Sequence, residues 1–450
     1  MIKIYLKQAW TIIRQNKLFS SIYITGTALA IAITMTLFVI YYVKVAPIYP
    51  EYNRWNTYVI NEIFVSASIR SNDGEIKKFA SSSTRINRSI IPDILSKIEN
   101  IEVCTATADG FANNIFADNG KSLREKMYVK YTDLNFWKVF TFEFVDGRPF
   151  VEGEMIGKPQ HAIISSRLAK RLFASTDVTG RKIEVDERSY SIAGVVKNPS
   201  SFAMDSYAEI YIPSSIKNST PDKPFTVENS PGIYSIYFTI KSHKHSGKMT
   251  DDIQNTIKRL NTESSDAFKD ASSGDRMLQI EEFNIKPHWK AQLDNDSSRD
   301  SLLGILQRLM VLVISLLIVP AINLSSMISS RMEERKAEIG VRLAFGATKG
   351  SIMKQILWEN MLLTCIGGVA GLLLTYLLVY TGAEWVLTIF DSGDSFSVME
   401  RDINADMLFN PYIFITVFII SIIINMASAW IPAHWSLKHT IADSLNSKKQ

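Results

Sequence analysis

Arg331-Met-Glu-Glu-Arg335-Lys-Ala-Glu338-Ile339-Gly340-Val-Arg342-Leu343-Ala-Phe345-Gly346-Ala-Thr-Lys349 lies between two apolar stretches, Leu302 to Met327 and Leu357 to Tyr380. A loop that only reverses the chain at a membrane surface needs a few polar residues. This one carries helix-forming charges, apolar residues at helical spacing and two glycines. Glu338, Arg342 and Lys349 project from a helix whose Ile339, Leu343 and Phe345 suit an apolar groove on a partner, while Gly340 and Gly346 permit close approach and helix termination. On these residues alone, a docking surface and a merely solvated loop both stay open.

Further out lie two more apolar stretches, Ile22 to Val43 and Pro411 to Trp430. Crossing about 30 Å of hydrocarbon takes roughly 20 helical residues, so all four are long enough. Averages over the chain hide this, since 46% hydrophobic residues and a mean hydropathy of +0.05 also fit a soluble protein. Between the first and second stretches the sequence is polar, turn-rich and long enough to build its own core. The predicted fold class is an α-helical membrane protein with four transmembrane helices and a large α+β extracytoplasmic domain inserted between helices 1 and 2.

Cations set the orientation. Lys3, Lys7, Arg14 and Lys17 precede the first span without an acid, and Arg331, Arg335, Lys336, Arg342 and Lys349 follow the second. The loop after the third span has Arg401 against Glu384, Asp391, Asp394, Glu400, Asp402 and Asp406, and the C-terminus carries Lys438, Lys448 and Lys449. Both termini and the 331–349 segment are expected inside, and the large domain outside. The expected boundaries are an amphipathic cytoplasmic helix at 1–20, spans at 21–45, 301–328, 353–381 and 410–431, and the outer domain at 46–300 with a second lobe inserted at about 103–215. A cytoplasmic segment at 329–352, an outer loop at 382–409 and a cytoplasmic tail at 432–450 complete the plan. Ala28-Leu29-Ala30 offers a cleavage site for a signal peptide, but the apolar run continues to Val43, so an uncleaved span is expected.

In the outer domain, strands are read at Tyr58 to Ser66, Ala162 to Ser165, Lys182 to Val185, Tyr190 to Val196, Ala208 to Ile212, Tyr234 to Ile240 and Met277 to Phe283. Helices are read at Ser89 to Ile98, Ser166 to Phe173 and Gly247 to Leu260. In the second span Pro320 removes a backbone hydrogen bond and kinks the helix, as a hinge or as a tolerated bend. In the third, Gly367, Gly368 and Gly371 let helix backbones approach, with packing within the subunit and across a dimer equally open.

Searches for chemistry end in exclusions. Asn119-Gly120-Lys121-Ser122 resembles the end of a phosphate loop, but the motif needs glycine five residues before the Gly-Lys pair, where Ile115 stands. His243 and His245 lack a third ligand at metal spacing, and His161, His288, His434 and His439 are scattered. Cys104 and Cys365 fall in different compartments, so no internal bridge is expected. A net charge of +4 follows from membrane orientation and implies no nucleic acid. No catalytic set, metal or cofactor is expected.

The run Glu338-Ile-Gly-Val-Arg342-Leu-Ala-Phe-Gly-Ala347, followed by Ile352-Met-Lys-Gln-Ile-Leu-Trp-Glu359 and Gly367-Gly368, resembles the signature of the FtsX/MacB family of ABC transporter permeases, in which a Glu-Ile-Gly-x-Arg segment forms the coupling helix. Arg14-Gln-Asn-Lys17 resembles the family's N-terminal element and Gly147-Arg148-Pro149-Phe150 its Gly-Arg-x-Phe turn. Ile163 to Phe173, Thr179-Gly180 and Ile192 to Val196 look like the MacB-type periplasmic core domain. Pro432-Ala433 through Ile441 to Leu445 is similar to the closing motif, with Thr440 where proline is common. The resemblance implies that Arg335, Glu338, Ile339, Gly340, Arg342, Leu343 and Gly346 couple the chain to a cytoplasmic ABC ATPase subunit. This sequence contains no Walker motif, so a partner is expected to supply hydrolysis. A second permease subunit is implied, together with membrane lipid and, for efflux, a periplasmic adaptor and an outer-membrane channel. Two outputs are carried forward. One is efflux or extraction of a hydrophobic or amphipathic substrate such as an antimicrobial peptide, a macrolide-like compound or a lipoprotein; the other is an FtsX-like scaffold that activates a cell-wall hydrolase. A membrane sensor is disfavoured because no output domain follows the spans.

Overall fold

The computed structural model describes residues 17–70, 76–155, 160–200, 203–217, 223–269, 276–293, 335–388 and 411–438, with isolated positions at 10, 14 and between 304 and 333. The chain forms two compact units: Met1–Tyr42, Arg299–Ser392 and Ala405–Gln450 make one, and Val43–Ser298 with Gly393–Asn404 the other.

Helix α1 spans Lys17–Val45. Two of its threonine hydroxyls are absorbed internally: Thr34 Oγ1 donates to the Ala30 carbonyl and Thr36 Oγ1 to Ala32, both at 2.8 Å. Such back-bonding makes threonine tolerable in hydrocarbon.

The second unit is α+β. In chain order its elements are β1 (Thr57–Arg70), β2 (Ile76–Ile86), α2 (Ile90–Asp93), β3 (Ile101–Ala117), β4 (Ser122–Thr132), α3 (Phe136–Val139), β5 (Phe144–Gly147), β6 (His161–Ser165), α4 (Ser166–Phe173), β7 (Lys182–Val185), β8 (Arg188–Val196), β9 (Ile210–Pro213), β10 (Pro231–Gly232), β11 (Ser235–Ile240), α5 (Ser246–Lys269), β12 (Arg276–Pro287) and α6 (His288–Ala291). The strands run β10-β2-β1-β11-β3-β4-β9-β6-β8-β5, with β12 on β1 and β7 bridging β3 and β8.

Strand β3 joins two cores. Its first half, Ile101 to Thr107, pairs antiparallel with β11, and its second half, Ala108 to Phe116, pairs with β4. One apolar core draws on residues 58–108 and 225–283, including Ile60, Ile63, Ile236, Phe238 and Ile253. The other draws on 112–212, including Ile115, Val129, Ile164, Leu168 and Ile192. A third cluster is aromatic, with Phe136, Phe140, Tyr211 and Tyr237 buried and Trp137 and Phe142 packed against them. Its rings meet edge-on or tilted at 4.9–5.8 Å, arrangements worth about 0.5–1.5 kcal/mol per pair beyond area burial.

The seven strands read from sequence are present as β1, β6, β7, β8, β9, β11 and β12. Strands β2, β3, β4, β5 and β10 are additions. The helix expected at 89–98 breaks at Ile94, whose φ of −122° leaves α-space, and continues as a 3-10 turn, Leu95–Lys97. The helix expected at 247–260 runs on to Lys269.

Three further helices of the membrane unit lie among the described residues: α7 (Lys336–Ala344), α8 (Lys349–Thr388) and α9 (Pro411–Lys438). Among the described residues three helices are long and apolar enough to cross a membrane, at Ser20–Val39, Lys349–Val379 and Phe414–Trp435. The expected count was four. The described positions from Gly304 to Ile328 are all helical, but Pro320 and most of that stretch lie outside the described residues, as do residues 389–410 and 439–450 and most of 1–16.

Candidate functional site

Helix α7 has two unlike faces. On one, Ile339 and Leu343, four residues apart, pack onto a core formed by Tyr23, Ile328, Met332, Ile352, Ile356 and Ala433. On the other, Val341 is 47% and Phe345 88% exposed, beside the half-exposed Glu338 and Arg342. Of the three apolar side chains expected at a partner's groove, Ile339 and Leu343 are half-buried against their own chain and Phe345 is exposed. Val341, absent from the sequence-derived set, stands outside with Phe345. Gly340 is buried.

The helix ends in a tight stop. Gly346, at φ +92°, occupies the left-handed region that a side chain disfavours. Its N–H donates to the Leu343 carbonyl and that of Ala347 to Arg342, both at 3.0 Å, the Schellman pair that satisfies orphan carbonyls. Two residues on, Thr348 caps α8 by accepting from the Ser351 amide at 3.2 Å.

Polar braces tie α7 to α8. The Arg342 guanidinium donates to Glu338 Oε1 at 2.5 Å and to Gln355 Oε1 at 3.0 Å. Arg335 reaches Glu359 Oε2 at 3.4 Å and Glu338 Oε2 at 4.0 Å. These polar contacts link α7 to the membrane-length α8. The glycines of α8 face this chain's own helices. A Cβ on Gly371 would lie 2.8 Å from the Ala28 carbonyl, one on Gly367 2.9 Å from Thr27 Cβ, and one on Gly368 2.2 Å from the Phe418 ring. Tyr23 OH meets Thr364 Oγ1 at 3.2 Å across the same helix pair.

Two family models match in tandem: the MacB-like periplasmic core domain over residues 20–256, more than half of the chain, and the FtsX-like permease C-terminal region over 310–441, which contains α7, α8 and α9. The chain belongs to the MacB/FtsX family of ABC transporter permeases. It is 24% identical over 274 residues to YknZ, an ABC transporter permease of Bacillus subtilis (strain 168), covering 58% of this chain and 61% of YknZ. It is 28% identical over 250 residues to the pyoverdine export ATP-binding/permease protein PvdT of Pseudomonas savastanoi pv. phaseolicola, covering 55% and 34%. With MacB, the macrolide export ATP-binding/permease protein of Escherichia coli O157:H7, it shares 22% over 314 residues, 69% and 42%. The chain thus spans between a third and three fifths of the length of these relatives. Among solved structures, the extracellular domain of YknZ from Gram-positive bacteria matches at TM-score 0.31 and 14% identity, over 49% of this chain and all of that one. The periplasmic region of MacB from Actinobacillus actinomycetemcomitans matches at 0.29 and 17%, over 49% and 90%.

In this MacB/FtsX permease the phosphate-loop lookalike is the turn of the β3–β4 hairpin. Gly120 sits at φ +83°, and the Ala117 amide donates to the Lys121 carbonyl at 2.8 Å. His243 lies in a 3-10 turn with Nε2 2.8 Å from Asn56 Oδ1, and no group of three metal-ligating side chains occurs among the described residues. A cleft of about 680 Å³ beside α5 is ringed by Lys97, Lys241, Lys248 and Arg259 against Asp93, Glu99 and Asp252, with no dominant sign of charge.

Sequence reading missed a buried ionic knot. Glu51 and Arg54 are both solvent-free and pair at 2.7 Å. Glu51 Oε1 accepts from the Ser206 amide and hydroxyl at 3.0 and 2.7 Å, and His288 Nε2 lies 2.7 Å from Asp205 Oδ2 and 3.5 Å from Glu51 Oε2. By sequence spacing His288 is one of the scattered histidines.

Proposed function

We propose that this chain is the permease subunit of a mechanotransmission-type ABC transporter in the inner membrane, with both termini cytoplasmic and the α+β domain periplasmic. A cytoplasmic ABC ATPase on another chain docks on α7, and its nucleotide cycle moves the periplasmic domain through the membrane helices. The observation that carries this reading is the two-sided α7: Ile339 and Leu343 anchor it while Val341 and Phe345 stand in solvent beside Glu338 and Arg342. An aromatic ring left 88% exposed at a fixed helix end is the anchor expected of a docking helix.

Chain order supports the transmission. The outer domain begins directly after α1 at Val45 and ends before the 301–328 stretch, which leads into α7, so a change in spacing between these two arms inside must reappear outside. Two permease subunits dimerise to face two ATPases. The cargo is hydrophobic or amphipathic, as the export roles in the names of PvdT and MacB also favour.

The test is capture and activation of the partner ABC ATPase. Phe345→Asp and Arg342→Ala are expected to lower co-purification and permease-stimulated ATP hydrolysis several-fold while membrane insertion is unchanged. Full capture and full stimulation in both variants would refute the docking role of α7.

A further inference from the structure

The turn Glu51-Tyr52-Asn53-Arg54-Trp55-Asn56, just after α1, is inside-out. Its two charged side chains are sealed away, Glu51 at 1% and Arg54 at 0% exposure, while its two large aromatics stand outside, Tyr52 at 46% and Trp55 at 55%. Against water the opposite assignment costs less, because burying an ion pair carries a desolvation penalty of several kcal/mol per ion and exposing aromatic surface forfeits about 25 cal/mol per Å². The arrangement is understandable where the medium outside the turn is not bulk water.

Arg54 also fixes where the turn sits. Its Nη1 donates to the carbonyls of Lys44 at 2.9 Å and Ala46 at 3.0 Å, the last residues of α1 and the first beyond it. Those carbonyls are orphans of a helix end and need donors. The turn is thereby folded back onto the point where a membrane-length helix leaves the hydrocarbon, the depth at which Trp and Tyr collect with ring in acyl chain and polar edge in headgroup. The loop that donates to Glu51 through Ser206 exposes a further apolar side chain, Met204, at 39%.

We propose that Tyr52 and Trp55 form an anchor in the headgroup region of the outer leaflet, held at that depth by the buried Glu51–Arg54 pair. Such an anchor makes the bilayer surface a fixed reference for the base of the outer domain. It stands independently of the ATPase reading, since it requires only that α1 spans a membrane.

The experiment places a nitroxide at Trp55→Cys, and separately at Tyr52→Cys, in the full chain carrying Cys365→Ala and reconstituted in phosphatidylethanolamine/phosphatidylglycerol vesicles. The remaining thiol, Cys104, is buried and its pKa is pushed up to about 12 by burial and then by Asp133, so it stays unlabelled. A label at Lys121→Cys in the β3–β4 turn serves as the aqueous reference. Collision with oxygen, which concentrates in lipid, relative to collision with a water-soluble nickel chelate is expected to be several-fold higher at 52 and 55 than at 121. A ratio at both sites equal to that at 121 overturns the proposal in favour of water. Suppression of both collision partners overturns it in favour of protein cover, by a second copy or an adaptor. The Tyr52 label carries the test alone if the Trp55 variant does not fold.

Discussion

Arg54 has no solvent exposure, and its guanidinium is divided between the Glu51 carboxylate and two backbone carbonyls. Removing it leaves Glu51 buried with the Ser206 donors and His288 in place of its paired cation, so Arg54→Leu is expected to destabilise the outer domain by about 3–5 kcal/mol. Arg181→Ala breaks an ion pair with Asp118 that is more than a third exposed on both sides and is expected to cost under about 1 kcal/mol. Denaturant titration of the detergent-solubilised chain, followed by near-ultraviolet circular dichroism, checks the contrast. Asp205 makes a second prediction. Burial alone would raise its carboxyl, but the hydrogen bond and charge of His288 override that and hold it at about 2. Its unfolded value is about 3.9, so the stability it contributes is complete above about pH 4 and drains away as pH falls toward 2. In Asp205→Asn the loss of stability across that window should be shallower than in the parent. These residues were invisible to sequence reading because the contacts join positions 155 and 83 apart, and no local spacing announces them.

Elements were legible where one periodicity dominated. Strand β7 alternates buried and exposed side chains along Lys182–Val185, and α4 places Leu168, Ala169, Leu172 and Phe173 on one buried face behind the Ser165 cap. Strand β2 was missed because Ile76–Ile86 is exposed along most of its described length and rich in Ser and Lys, and β3 because Thr, Ala, Asp, Gly and Asn fill its centre. The residues flanking Gly346 are legible as a helix stop, but which face of α7 points outward depends on where the neighbouring helices lie, which helical spacing within the segment does not fix. Helix packing gives a third prediction. Gly371→Ala drives a Cβ to 2.8 Å from the Ala28 backbone oxygen, whereas Gly26→Ala meets nothing within 4 Å. Overpacking of this kind costs about 1–3 kcal/mol, so Gly371→Ala should lower the melting temperature of the membrane unit in detergent while Gly26→Ala leaves it unchanged. Gly346→Ala puts a side chain at φ +92° and should cost about 1 kcal/mol, read as faster amide exchange at Gly346 and Ala347.

For the whole molecule, the alternation of apolar and polar segments disclosed a membrane protein with a large outer domain, and the charged segment before α8 disclosed its family. A second lobe at about 103–215 is read from the chain order, but β3, which the two cores share, carries no apolar pattern. That strand leads to a fourth prediction: when ATP is added to the permease reconstituted with its ATPase, amide exchange should change in both lobes together, in the β1–β12 pair and the β7–β8 hairpin alike. A response confined to one lobe would show that they move separately. The 17 residues of β3 are laddered to β11 along one half and to β4 along the other, with rungs lying across the strand. Tension along such a strand loads its rungs in shear, all at once, and none is peeled open ahead of the rest. The α+β domain therefore has one unbroken fibre running through both of its cores, stiff to a pull along that strand.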